Sequence, residues 1–250
     1  MNFEFLKPKK KCLVLGGSGY IGSQVCRQLK ENGAEIGFTY FKNEALAKKL
    51  QSDLTCNAYQ IDFCDIYSVE NLILEAIKDL KGIDAIIQCA GTAGNPDIYN
   101  STADKFLDIT EDDFSQMLMI TTQSSFIAAQ VCAKAMKENG GEFIMVGSMD
   151  GVKSVPAPIH YAAAKGALVS MCASLAKELG KRNIRVNLIA PGILEGGLLK
   201  YLSEDLKKEY LQHCSLKRLG TAQEVANLVC WLVMQNSYVT GQTMLLDGAL

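Results

Sequence analysis

Only two histidines, His160 and His213, occur in the 250 residues, which argues against a histidine-rich metal centre. No apolar run approaches the roughly 20 residues that a membrane span requires. The nine cysteines contain no C-x-x-C pair. Their odd number and their placement inside apolar runs fit reduced core thiols in a cytoplasm better than a disulfide framework. Charge of one sign is also missing, because 25 Lys and Arg against 27 Asp and Glu leave a net charge of −2. Such a balance gives no global attraction to nucleic acid or to an anionic membrane. The basic K-P-K-K-K from Lys7 is short and reads as a solvated lead-in to the first strand. The C-L-V-L after it runs straight into glycines, unlike a signal peptide. Low-complexity stretches and internal repeats are absent as well. At 48% hydrophobic residues the chain reads as one domain, residues 1–250, with a substantial core.

What is present is alternation. Short apolar runs predict strands at 11–15, 35–39, 57–61, 85–88, 142–146, 185–189 and 243–246. Helical patterns lie between them at 21–32, 43–52, 68–80, 111–137, 161–179 and 222–234. This order predicts an α/β fold, a single doubly wound domain with a seven-stranded parallel sheet and helices on both faces. Residues 94–108 and 194–216 depart furthest from alternation and follow presumed strand ends, where open sheets place their ligand crevice. The second is the better candidate for a mobile lid.

The first strand ends in L-V-L-G-G-S-G-Y-I-G, residues 13 to 22, which opens a helix. Gly16 can take the tight turn, Gly19 allows close backbone approach, and Gly22 lets helix pack on strand. Ser18, Tyr20 and Ile21 share that turn, whose freed N–H groups and helix N-terminus suit a pyrophosphate. A glycine motif alone can be only a tight turn, but this one sits in a βαβ unit. Asp62, with Phe63 beside it at the third strand's end, is placed to accept from an adenine amino group, or is simply a strand-end Asp. Cys89, Ala90 and Gly91 offer small residues where backbone must approach a cofactor. The second strand ends in T-Y-F-K-N, with no acid before Glu44 and a cation at Lys42. An acid there would bind a ribose 2′-OH and repel a 2′-phosphate; its absence favours NADP(H) over NAD(H), although Lys42 also fits a solvated helix start.

Tyr161 and Lys165, four residues apart in H-Y-A-A-A-K, project from one helix face. Ser148, in V-G-S-M-D thirteen residues before Tyr161, can join them from a strand end. The three supply a hydroxyl acid, a cation and a second hydroxyl for a carbonyl oxygen. A half-buried Tyr with a solvated Lys would show the same spacing, and His160 beside them points to another face and reads as structural.

Taken in order, Gly16, Gly19, Gly22, Asp62, C-A-G at 89–91, Ser148, Y-x-x-x-K at 161–165, A-P-G at 190–192 and Y-V-T-G-Q-T-M-L-L-D-G from Tyr238 resemble the short-chain dehydrogenase/reductase family over essentially the whole chain. Within it the pattern is most similar to β-ketoacyl-(acyl-carrier-protein) reductases. The resemblance implies a Rossmann fold, with Ser148, Tyr161 and Lys165 catalytic and Lys165 holding the nicotinamide ribose. It also implies cofactor contacts at Pro191, Gly192 and Ile193, and a homo-oligomer, a tetramer or dimer. Ala162, Ala163, Ala164, Ala167, Ser170, Cys172, Ala173 and Ser174 around one helix fit such helix–helix contact; dense internal packing is the alternative.

Three departures stand out. G-G-S-G-Y-I-G has the glycine spacing of the longer, nucleotide-sugar-modifying branch, with Tyr20 where shorter enzymes usually have Gly. Thr121 takes the place of the usual catalytic Asn, which puts the family's proton resupply in doubt. Gly196 takes the place of a hydroxyl residue that usually touches the nicotinamide amide.

The expected function is reduction of a carbonyl to a hydroxyl by hydride transfer with Tyr161 as proton donor. The substrate class expected is a 3-oxoacyl thioester, on an acyl-carrier protein or coenzyme A. The alternatives are oxidation of a sugar, steroid or polyol alcohol, a nucleotide-sugar epimerase or dehydratase disfavoured by length, and a non-catalytic cofactor sensor.

Overall fold

The computed structural model describes residues 9–92, 106–136 and 140–250. Its first strand, β1 (Lys11–Leu15), is buried from Cys12 onward, as a strand covered on both faces must be. It is joined by β2 (Glu35–Tyr40), β3 (Asn57–Gln60), β4 (Ala85–Gln88), β5 (Gly141–Val146), β6 (Ile184–Pro191) and β7 (Thr243–Leu246). All are parallel, in the order β3-β2-β1-β4-β5-β6-β7. The order reverses between β1 and β4, so a crevice opens at their carboxyl ends.

The helices are α1 (Tyr20–Glu31), α2 (Glu44–Leu54), α3 (Ile66–Asp79), α4 (Glu111–Leu118), α5 (Ser124–Ala135), α6 (Ile159–Leu179), α7 (Glu204–His213) and α8 (Ala222–Met234). Strand periodicity of two divides the core between them. Leu13, Leu15, Ile86, Phe143 and Met145 pack with α3, α5 and α6 on one face. Cys12, Val14, Ala85, Ile87 and Ile144 pack with α1, α2 and α8 on the other. At the amino edge Glu142, almost wholly buried, is held by Arg185 at 2.8 Å and Asn187 at 3.1 Å. Burial pushes its carboxyl up to about 7, against the pull of Arg185.

Two sequence expectations need correction. The single helix over 111–137 is broken by a π-turn at Met119–Gln123, and its expected last residue, Lys137, lies outside the described residues. The cause is the run T-T-Q-S-S. Ser124 Oγ donates to the Ile120 carbonyl and Ser125 Oγ to the Thr121 carbonyl, both at 2.6 Å, while Thr122 Oγ1 donates across to Ala164 O at 3.2 Å. Hydroxyls that bond backward along a helix bend it. The second correction is α7, inside the segment read as irregular. Ser203 caps it by accepting from Leu206 N, and two acids occupy its first turn. Its only buried residue is Tyr210, so its sequence shows little apolar periodicity. Tyr210 donates to the Asp247 carbonyl at 3.1 Å, tying this segment to the chain after β7.

Candidate active site

At the carboxyl end of β1 the glycine turn is as tight as the spacing requires. Gly16 has φ 75°, and a Cβ there would lie 2.7 Å from the Ala90 backbone. The buried Thr39 side chain accepts from Gly16 N at 2.8 Å and fixes the loop against β2. A Cβ on Gly22 would fall on the Gly16 carbonyl oxygen. No side chain caps α1 at Gly19, which leaves its N-terminus available to a phosphate. This cradle fits the pyrophosphate of a dinucleotide.

The other expected cofactor positions ring the same end of the sheet. Gly19, Tyr20, Ile21, Cys89, Gly91, Pro191, Gly192 and Ile193 line a common cavity of about 530 Å³. Burial raises the Cys89 thiol to about 12, opposed by Lys165, so it stays protonated. Ser18 is half-buried in the turn and Ala90 is buried beneath it. Asp62 is exposed at the end of β3 and accepts from Cys64 N at 2.9 Å, a turn-forming bond, while Phe63 is buried in the core. Lys42 is exposed after β2, 4.9 Å over the Phe41 ring. It makes no ion pair among the described residues, whereas Glu44 is bound by Lys48 at 2.7 Å.

Ser148, Tyr161 and Lys165 meet in this cavity. Ser148 follows β5, and Tyr161 and Lys165 share the inward face of α6. Ser148 lies beside Tyr161 and favours the ionised form of its phenol. Lys165 Nζ lies 5.7 Å from the Tyr161 ring centre and donates to the Val146 carbonyl at 3.1 Å. Burial brings Lys165 down to about 8, with Cys89 and Asp150 opposing. Burial, then the Asp150 charge, pushes Tyr161 well above the ordinary phenol value, with Ser148 opposing. The tyrosine proton therefore stays on its oxygen at neutral pH.

Thr121 is buried in the π-turn with its hydroxyl toward Met117 Sδ at 3.9 Å, and its hydrogen bonds stay within its own helix. His160 is fully buried, and neither ring nitrogen finds a partner among the described residues. Of the expected substrate walls, residues 93–105 lie outside the described residues. The segment 194–216 contributes Leu198, Leu199, Leu202 and, from α7, Leu206, and the loop after β5 adds Val155 and Pro156. The residue that sequence reasoning missed is Asp150, which lines the cavity and accepts from Ser148 Oγ at 2.8 Å.

The residues 18–250 match a family model described as "Enoyl-(Acyl carrier protein) reductase". The chain is a short-chain dehydrogenase/reductase. It is 30% identical to a 3-oxoacyl-[acyl-carrier-protein] reductase of Chlamydia muridarum over 96% of this chain and 97% of the relative. It is equally 30% identical to a 3alpha-hydroxysteroid dehydrogenase of Mediterraneibacter gnavus, over 99% and 98%. Among solved structures, a blue fluorescent protein from a metagenomic library in complex with NADPH is 28% identical, with a TM-score of 0.84 over 96% of this chain and 97% of that one.

Within this dehydrogenase/reductase, two of the departures turn out to be one. A Cβ on Gly196 would sit 2.6 Å from Tyr20 Cε2, and Gly197, at φ 65°, also packs on that ring. The large Tyr20 ring fills the space that the two glycines of the facing loop leave open. Restoring the hydroxyl alone, Gly196→Thr, forces the ring to shift across the cofactor turn. NADPH affinity is expected to fall about tenfold, and to recover in Tyr20→Gly/Gly196→Thr, in a fluorescence titration of the four proteins. Independent, additive effects of the two changes would refute the coupling.

Proposed function

We propose that the protein is an NADPH-dependent carbonyl reductase acting on a 3-oxoacyl thioester carried by an acyl-carrier protein or coenzyme A. The observation that carries this reading is a single cavity holding Ser148, Tyr161 and Lys165 that runs on into the glycine turn. When bound, the cofactor supplies a hydride to the carbonyl carbon. Gly16, Gly19 and Gly22 hold its pyrophosphate, with Ser18, Tyr20, Ile21, Cys89, Ala90 and Gly91 against the same ligand. Pro191, Gly192 and Ile193 hold the nicotinamide end. Asp62 and Phe63 would flank the adenine, and Lys42 would take the 2′-phosphate.

Tyr161 gives its proton to the carbonyl oxygen as charge develops there. A phenol is protonated at neutral pH in any case, and burial makes it harder to ionise, so proton release would depend on positive charge at Lys165 to offset that burial. Ser148 donates to the same oxygen. Lys165, with Nζ 5.7 Å from the Tyr161 ring centre, would stabilise the phenolate left behind and hold the ribose hydroxyls. Thr121, turned toward Met117, supports the helix behind this site.

Acyl-carrier substrates are favoured by the name of the Chlamydia muridarum relative and by the apolar wall of Val155, Leu198, Leu202 and Leu206, which suits an acyl chain. The Mediterraneibacter gnavus relative and the same wall favour a second reading, oxidation of a steroid alcohol. Exposed Phe114 and Phe126 on α4 and α5 and small residues on α6 support the reading of a homo-oligomer, a tetramer or dimer. Nine free thiols, most of them buried, fit a reducing cytoplasm. No helix among the described residues is long and apolar enough to cross a membrane.

The test is a panel of initial rates: acetoacetyl thioesters with NADPH or NADH, and steroid, sugar and polyol alcohols with the oxidised cofactors. The thioester with NADPH is expected to exceed every alcohol in kcat/KM by about a hundredfold. Lys42→Ala is expected to erase about tenfold of preference for NADPH. A steroid alcohol turned over faster than the thioester would overturn the substrate assignment.

A further inference from the structure

Ser148 caps the short 3₁₀ turn Met149–Gly151 that follows β5. The turn is clamped on α6, since a Cβ on Gly151 would lie 2.5 Å from the Lys165 carbonyl carbon and 2.7 Å from Gly166 N. This clamp sets the Asp150 carboxylate beside the serine: Ser148 Oγ donates to Asp150 Oδ2 at 2.8 Å, and Asp150 N donates to Ser148 Oγ at 3.3 Å. Tyr161 is near enough to feel both groups, since the Asp150 charge raises its phenol and Ser148 lowers it. A carboxyl group thus stands one hydrogen bond behind the hydroxyl that must face the substrate oxygen, and it lines the same cavity.

A serine hydroxyl has one proton and two lone pairs. While Asp150 is ionised it takes that proton and its N–H takes one lone pair, so Ser148 turns only its remaining lone pair toward the substrate. When Asp150 is protonated its own O–H can point at Ser148 Oγ, and the serine proton is released toward a carbonyl oxygen. We infer that Asp150 is a positioning residue whose protonation sets the direction of the Ser148 O–H, and so whether the site favours a carbonyl or an alcohol. The inference rests on the carbonyl-reductase reading above, without depending on which carbonyl is used.

The groups facing Asp150 allow it to titrate. Burial pushes its carboxyl above the ordinary value of 3.8, while the Ser148 bond and Lys165 pull it down. Tyr161 and Lys165 face it from α6, and Cys89 acts on Lys165 from the end of β4. Glu209 and His213 of α7 share the cavity. Lys153, further along the same loop, is committed to Asp247 at 2.6 Å and to the Leu250 carbonyl at 2.5 Å. As pH rises through the Asp150 ionisation, carbonyl reduction is expected to fall by about tenfold per pH unit and alcohol oxidation to rise over the same range.

The experiment has two arms. In cofactor-free protein, infrared difference spectra should show a protonated-carboxyl band that titrates above the ordinary carboxyl range and is missing in Asp150→Asn. In Ser148→Ala the band should titrate at higher pH, because the bond that favours the ionised form is gone. In turnover, Asp150→Asn should lose the pH limb in both directions, with kcat changing more than KM. A band unmoved by Ser148→Ala, or an unchanged pH limb in Asp150→Asn, would overturn the inference. Failure to reduce acetoacetyl thioesters with the infrared titration intact would count against the substrate class and leave the serine switch standing.

Discussion

Tyr161→Phe is expected to lower carbonyl reduction by at least about a thousandfold, the usual scale for loss of a positioned general acid. The substitution removes one oxygen from a side chain that is only 7% exposed and keeps the ring packed against Met117 and Ala164. Folding should therefore change by only about 1 kcal/mol, the scale of a lost hydroxyl hydrogen bond. Cofactor should still bind, because the glycine turn and Lys165 are untouched. Steady-state rates alongside a fluorescence titration separate the two effects. Near-normal turnover would remove Tyr161 from the mechanism, and loss of cofactor binding would make it a structural residue instead.

Gly22→Ala is the second large effect. The new methyl would fall on the Gly16 carbonyl oxygen and lie 2.8 Å from Gly17 Cα and 2.9 Å from the Gly16 carbonyl carbon. All three are backbone atoms, so no rotamer change relieves the contact, in contrast to Gly196, whose obstacle is a partly exposed ring. Either α1 withdraws from β1 or the turn opens, and both spoil the cradle. Cofactor affinity is expected to fall at least about a hundredfold. The Tm is expected to drop by roughly 2 to 10 °C, from an overpacking cost of about 1–3 kcal/mol. Titration and calorimetry read both, and unchanged values would mean that the turn does not bind the cofactor.

The sheet was legible because each strand is a short apolar run set off by helical periodicity, and buried parallel strands read that way. The glycines of the turn were legible because backbone geometry leaves no other residue there. Elsewhere local pattern misled or said nothing. Residues 111–137 carry uninterrupted helical periodicity, and only the hydroxyl bonds of Thr122, Ser124 and Ser125 betray the π-turn. The helix α7 is polar on most of its circumference, so its cap at Ser203 is a better signal than its periodicity. Asp150 two residues after a serine looks like ordinary turn chemistry; its proximity to Tyr161 and Lys165 is a product of the Gly151 contact with α6. The contact of Tyr20 with Gly196 joins distant parts of the chain, and each residue alone had seemed an unrelated departure. Lys42 was legible as a cation after β2, but only the structure shows its neighbour Glu44 taken by Lys48.

The central claim is hydride transfer to a thioester's 3-oxo carbon. The most direct measurement follows deuterium from NADPH labelled at the transferring position into the product made from an acetoacetyl thioester. The account predicts one deuterium at C3 of a 3-hydroxyacyl product, formed by the wild-type protein and not by Tyr161→Phe. Deuterium at another carbon, or a labelled product formed equally by the Phe variant, would contradict it.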